Sequence, residues 1–158
     1  MQIRNWIIRG TAITALALMG GVASQTAEAR TVPGSNGLTI PQDRHCFYPF
    51  AGDMYNGYCG HIVSLDIPLV VDNGGNHNIT VTAQGASPNN NVGCRGEGTD
   101  QSISVVWYSN GGAYSYLPNF GSAVDIPLNN VNVPGWGSLL VNCQVYAEGH
   151  VYTVNWNP

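Results

Sequence analysis

Ser138-Leu139-Leu140-Val141-Asn142-Cys143-Gln144-Val145-Tyr146-Ala147, followed by Glu148-Gly149 and then His150-Val151-Tyr152-Thr153-Val154-Asn155-Trp156, is the stretch that decides the fold class. Apolar and polar residues alternate on both sides of the Glu-Gly pair, the period-two mark of strands half-buried in a sheet. The simplest reading is a hairpin turning at Glu148-Gly149. Its inner face would pair Val145 with Tyr152, Cys143 with Val154 and Val141 with Trp156. A one-residue slip would turn all of these to solvent.

The same alternation recurs upstream. In His61 to Asn73, Leu65, Ile67, Leu69 and Val71 share a face, and Pro68, which cannot donate to a ladder, places this strand at a sheet edge or bulge. Asn78 to Gln84 follows with Ile79, Val81 and Ala83 inward, and Val92 to Arg95 forms a short strand that ends in a polar loop, Gly96 to Asp100. Gln101 to Ser109 and Gly112 to Leu117 flank Asn110-Gly111, a strong hairpin-turn signal because both central positions of that turn need positive φ. Ser122 to Asn129 carries Asp125-Ile126-Pro127-Leu128, which repeats Asp66-Ile67-Pro68-Leu69 and hints at two related strand-turn-strand units. Asp43 to Gly60 has no clean period and reads as an aromatic-rich loop. Beyond the N-terminal segment no stretch shows a helical period free of Gly and Pro. The expected fold is an all-β, disulfide-stapled antiparallel sandwich of seven or eight strands, immunoglobulin-like or jelly-roll-like.

Residues 1–29 read as a helical signal peptide. Arg4 and Arg9 precede an apolar run over Thr11 to Ala23, and Ala27-Glu28-Ala29 supplies small residues for cleavage after Ala29. That run is shorter than the ~20 residues of a bilayer span. Residues 30–158 then form a single β-sandwich domain that is secreted, extracellular or periplasmic, with no membrane insertion. All four cysteines, Cys46, Cys59, Cys94 and Cys143, lie in this part, as expected of an oxidising compartment. The expected pairs are Cys46–Cys59, closing a short loop, and Cys94–Cys143, crossing the core. Spacings without a C-x-x-C pair argue against zinc.

Composition narrows the function. From residue 30 onward the only basic side chains are Arg30, Arg44 and Arg95, against eight acids. So acidic a chain excludes nucleic acid and anionic membrane surfaces as partners, since both are held by basic clusters. Charged residues make up 9% of the chain, against ~25% in ordinary domains. Asn, Gly, Ser and Thr carry the polarity instead, a surface suited to neutral polymers such as glycans.

Candidate site residues come from three groups. The aromatics Tyr48, Tyr55 and Tyr58 in the disulfide loop, and Trp136 in Pro134-Gly135-Trp136-Gly137, are ligand-binding candidates, because a ring stacks on a sugar while neighbouring amides bond its hydroxyls. Glu97 and Asp100, near Arg95, are the carboxylates a glycosidase would need. Asp72 and Asn76 offer oxygen ligands to calcium, but the complete ligand spacing is missing, so no metal site is assigned. There is no Gly-x-Ser-x-Gly elbow and no cofactor-binding pattern. The leading expectation is a secreted, non-enzymatic binding or structural protein at a cell surface or in extracellular matrix, with a neutral glycan or a cell-surface protein as partner. The alternative is a small secreted hydrolase acting on glycan or peptidoglycan.

Overall fold

The computed structural model describes residues 29–157; all of the expected signal peptide but Ala29 lies outside them. Eleven strands form two antiparallel sheets. The first is built from β1 (Arg30–Pro33), β2 (Phe47–Phe50), β3 (Asp53–Asn56), β5 (Gly75–Gln84), β9 (Val124–Val133) and β11 (His150–Trp156). The second contains β4 (Val63–Leu69), β6 (Val92–Thr99), β7 (Val106–Tyr108), β8 (Ser115–Tyr116) and β10 (Ser138–Val145). The first sheet runs β2-β3-β11-β5-β9, with β1 continuing the ladder along β11, and the second runs β4-β10-β6-β7, with β8 further along β6. Successive strands from β3 to β6 change sheets or sides as a jelly roll requires, and so do β9, β10 and β11. The expected sandwich is therefore present, in its jelly-roll form. The strand count exceeds seven or eight because β1 and β8 are short extra pieces laid along β11 and β6, and β2 forms a short hairpin with β3.

The alternation read from the sequence does define the core. Leu65, Ile67, Val81, Leu128, Val141, Val145 and Val154 are fully buried between the sheets. Edges are protected by proline. β2, β4 and β9 lie at sheet edges and carry the exposed Pro49, Pro68 and Pro127, each of which removes a donor from the open ladder. Both copies of Asp-Ile-Pro-Leu thus occupy edge strands, one in each sheet.

Partner assignments need correction. β10 and β11 do not pair with each other. β10 lies between β4 and β6, while β11 lies between β3 or β1 and β5 in the opposite sheet. The connection is an arch whose backbone is claimed from both sides. Tyr146 N–H donates to the Asn91 carbonyl, Glu148 N–H to that of Asn56, and Asn56 N–H to that of Gly149. Alternation alone cannot separate a hairpin from an arch, since both put the same side chains inward. A bulge between Val151 and Thr153 also changes the phase of β11. It turns Val151 inward and Tyr152 outward, where the Tyr152 hydroxyl donates to Gln84.

The second expected hairpin is likewise absent. Asn110 and Gly111 do have positive φ, 49° and 72°, but β7 and β8 both pair with β6, at Glu97–Thr99 and at Gly93–Cys94. The Asn-Gly turn is a bulge between two collinear pieces. Gly96 to Thr99, expected as loop, belongs to β6. Its glycines face the other sheet, and a Cβ at Gly98 would stand 2.0 Å from the Asn132 carbonyl oxygen. Low side-chain content there marks a close approach of two backbones rather than a break. The Asp43 to Gly60 loop contains the β2–β3 hairpin.

The structure joins Cys46 to Cys59 and Cys94 to Cys143. The second bridge does not cross the core. Cys94 and Cys143 are directly opposed on β6 and β10, with Cα atoms 4.1 Å apart, and lock two neighbours of one sheet on its inner face. By loop-closure entropy the 49-residue bridge contributes about 4 kcal/mol and the 13-residue bridge about 3. Replacing Cys94 and Cys143 by alanine should therefore lower the thermal midpoint more than replacing Cys46 and Cys59. Calorimetry giving the reverse order would show that the peripheral loop, not the β6–β10 ladder, governs stability.

Candidate functional site

Three connections meet at one end of the second sheet: residues 70–74 after β4, 134–137 before β10, and 100–105 between β6 and β7. The ladder pairs Leu69 with Leu139 and Ser138 with Thr99, which sets the three tips side by side with 134–137 in the middle.

The middle tip is a tight turn in which Gly137 N–H donates to the Pro134 carbonyl at 2.9 Å. Its third residue is Trp136, with φ of 67°. That position normally takes Gly or Asn, and a bulky side chain there is an outlier costing on the order of 1–3 kcal/mol. Gly137 cannot move the strain elsewhere, because a Cβ on it would stand 2.1 Å from the Thr99 carbonyl oxygen. The backbone thus thrusts the indole outward, and Trp136 is 90% exposed. Beside it lies a cavity of about 290 Å³ lined by Val71, Asp72, Asn73, Gly74 and Pro134 among others. The Asp72 carboxylate accepts both Arg30 Nη2 contacts, at 2.7 and 3.0 Å. Trp156 donates its indole N–H to the Val70 carbonyl at 2.9 Å, tying the 70–74 tip to the end of β11.

The 100–105 tip is wound around one carboxylate. Asp100 accepts hydrogen bonds from the Ser104 and Val105 amides and from the hydroxyls of Ser102 and Ser104. The Ser104 hydroxyl is the first cause holding this carboxyl below the ordinary aspartate range. Asp100 was read from the sequence as a candidate carboxylate, but the loop that winds around it was not, although Asp100-Gln101-Ser102-Ile103-Ser104 carries the side-chain pattern of a self-bonded turn.

The other candidates are dispersed. Asn76 accepts from Asn132 Nδ2 at 3.1 Å and Asp72 is engaged by Arg30, so the two suggested calcium ligands serve different partners. Glu97 lies on the outer face of β6, paired with Arg95 at 2.7 Å. The Arg95 guanidinium is sandwiched between the Tyr108 and Tyr114 rings, each 4.6 Å from centroid to Cζ. Burial opposes its charge, but the Glu97 hydrogen bond and charge prevail and raise its pKa above the ordinary arginine value. The network continues through the Tyr114 hydroxyl to Asn142, whose amide donates to Asp66 and Ser64. Glu97 and Asp100 are thus committed to separate networks, one to a cation and one to a loop.

Tyr48, Tyr55 and Tyr58 sit on the disulfide-closed region beside the His150 end of β11. Seven residues of β11 separate them from the Trp156 end, roughly 20 Å. Tyr48 and Tyr58 are exposed, with Tyr48 stacked on Phe50, while Tyr55 is stacked on His150 at 4.2 Å. His150 is held by the buried Asp53 at 2.7 Å. His45, Cys46, Cys59, Asp43 and His61 crowd together nearby, but both sulfurs are bonded to each other.

A hydrogen-bonded carboxylate of depressed pKa contributes order above the ordinary aspartate value and loses it as pH falls through the lowered one. The Ser104 amide should therefore stay protected from hydrogen exchange at a pH where a free aspartate is already protonated, and Asp100→Ala should remove that protection. Equal exchange in the two proteins would show that the loop does not depend on Asp100.

No family model matches the chain, and no curated protein matches it in sequence. Solved structures do match it in fold. One is the C-terminal CBM6 of LamC, a marine laminarinase from Zobellia galactanivorans, with TM-score 0.52 and 12% identity over 83% of this chain and 100% of that one. Another is the GH26-CBM35 β-(1,4)-mannanase of Podospora anserina, with TM-score 0.53 and 10% identity over 84% of this chain and 28% of that one. A third is the carbohydrate-binding module CBM6cm-2 from Cellvibrio mixtus lichenase 5A, in complex with cellotriose, with TM-score 0.50 and 12% identity over 82% of this chain and 96% of that one. At such identities the likeness is one of fold: this chain is a β-sandwich of the same architecture as carbohydrate-binding modules.

Proposed function

We propose that residues 30–158 are a secreted, non-enzymatic binding domain that takes a neutral glycan at the sandwich end centred on Trp136. The observation that carries this reading is the exposure of that indole on a strained turn. Backbone strain at a bulky, solvent-facing residue has no folding benefit and is characteristic of binding positions. An indole face stacks on the apolar face of a sugar ring, and Asn73, which lines the adjoining cavity, carries an amide of the kind that bonds sugar hydroxyls.

Charge supports the neutral character of the ligand. Among the described residues the one arginine at this end, Arg30, is already paired with Asp72, and Asp100 adds a negative charge with no cation among its hydrogen-bond partners. A uronate or sulfate would find no free counter-charge and would meet a like one. The fold shared with the CBM6 of a laminarinase, with part of a β-(1,4)-mannanase and with a carbohydrate-binding module in complex with cellotriose agrees with this reading.

The test is titration calorimetry against neutral gluco-, manno- and galacto-oligosaccharides, with uronic-acid oligomers as controls. Trp136→Gly should lose at least roughly tenfold in affinity, the loss expected when a stacking worth ~1.4 kcal/mol disappears. Its thermal midpoint should be no lower than that of the parent, because glycine accepts the turn's positive φ. Binding that survives the substitution would remove this end of the molecule from consideration.

A further inference from the structure

Trp136 is not the sole bulky side chain held out by its backbone. Among the described residues six non-glycines have positive φ, and two of these are large apolar residues, Trp136 and Ile103. They are also the two most exposed large hydrophobics, at 90% and 72%. Ile103 is the sharper anomaly. A β-branched residue is the least suited to φ of 57°, and no turn needs isoleucine. Its strain is maintained by its neighbours. Ile103 N–H donates to the Asp100 carbonyl at 3.1 Å, and the following residue, Ser104, donates its amide to the Asp100 carboxylate at 2.7 Å. The loop is thereby locked with Ile103 at its apex.

The place of that apex matters. In the sheet order β4-β10-β6-β7, the cavity-forming 70–74 tip lies on the β4 side of Trp136, and the 100–105 tip lies on the opposite side. Thr99, which leads into the Ile103 loop, is the register partner of Ser138 and packs against Gly137, the residue after Trp136. Cavity, indole and isoleucine therefore fall in one row across three adjacent tips, which stand about 5 Å apart strand to strand. One sugar unit over the cavity and the next on the indole leave the third tip to a further unit of the chain.

The geometry points to Ile103 as a second subsite, a specificity-determining contact through which the Trp136 end binds a chain of several sugar units in preference to a monosaccharide or disaccharide. This inference rests on the glycan reading above and deepens it. The ligand is a linear, uncharged oligosaccharide whose successive rings lie over the cavity, over Trp136 and against the Ile103 side chain. The last contact is apolar, made to ring C–H groups, with no hydrogen-bond demand and so no dependence on salt or on the identity of the hydroxyls.

The experiment is a length series of linear neutral gluco-oligosaccharides, from the disaccharide upward, titrated into the full-length mature protein and into Ile103→Gly and Ile103→Asn. Both replacements tolerate a left-handed backbone, so the loop is retained. Affinity of the parent should rise with length. Both variants should lose that rise, roughly tenfold at the longer lengths for a side chain's worth of apolar burial, and match the parent on the disaccharide. The Ile103→Gly thermal midpoint should be at or above that of the parent, which excludes misfolding as the cause. Equal losses at every length, or no loss at any, would overturn the subsite while leaving glycan binding at Trp136 intact. If the parent binds none of the series, nor the manno- and galacto- series, the glycan reading falls and the subsite with it. Capture by neutral phosphatidylcholine vesicles that needs both Trp136 and Ile103 would overturn the sugar subsite in favour of a lipid-inserting tip.

Discussion

The arch over residues 146–149 is the constraint on which the rest of the molecule depends. It takes the chain from the middle of one sheet to the middle of the other in four residues, with Glu148 at φ of 61°. β10 is thereby committed to β4 and β6, and β11 to β3, β1 and β5. Each sheet is assembled around one of these two strands, and their inner faces, Val141, Cys143 and Val145 against Val151, Val154 and Trp156, supply much of the core. The side chain of Asn56 secures the arch from beneath. Fully buried, it donates to the Val145 and His61 carbonyls and accepts from the Cys59 amide. The Cys46–Cys59 bridge is thus linked to the sheet crossing by hydrogen bonds, although it lies outside the central ladders.

This arrangement also makes the two ends of the sandwich unlike. At the arch end, the β2–β3 hairpin and the disulfide fold over the sheets. At the other end the three tips of the second sheet stand clear of the other described residues, held by Arg30–Asp72, Trp156 to Val70 and the Asp100 turn. Rigid strands below and locally bonded tips above keep the exposed indole from being a loose side chain. Preorganisation of this kind lowers the entropy lost on binding a ligand.

The outer face of the second sheet is organised differently. Arg95, stacked between two tyrosine rings and paired with Glu97, and Asn142, bonded to Asp66, Ser64 and Tyr114, satisfy one another across four strands. Groups that had the composition of a catalytic centre are spent on ordering the sheet. Their chemistry was visible in the sequence, but apart from the Arg95–Glu97 pair their partners come from β4, β7, β10 and Tyr114 just before β8, 13 to 47 positions from Arg95, and no local spacing announces such contacts.

From the residues alone came the class of fold, most of the inward-facing set outside the β11 bulge, the favoured cysteine pairing and an edge or bulge for the Pro68 strand. Alternation at period two, an even cysteine count and proline in a strand are local signals with direct physical meaning. The sequence also singled out Trp136, because a tryptophan between glycines in a turn has little core to reach. Which strand pairs with which is settled by contacts between distant parts of the chain. A hairpin and an arch bury the same side chains, so the choice rests on the distant partners Asn56 and Asn91 rather than on the turn itself. Ile103 was illegible for a related reason. Its exposure follows from a backbone angle set by hydrogen bonds to Asp100, and its relevance follows from the register that lays Thr99 beside Ser138. Register is a property of paired strands, and neither strand carries it alone.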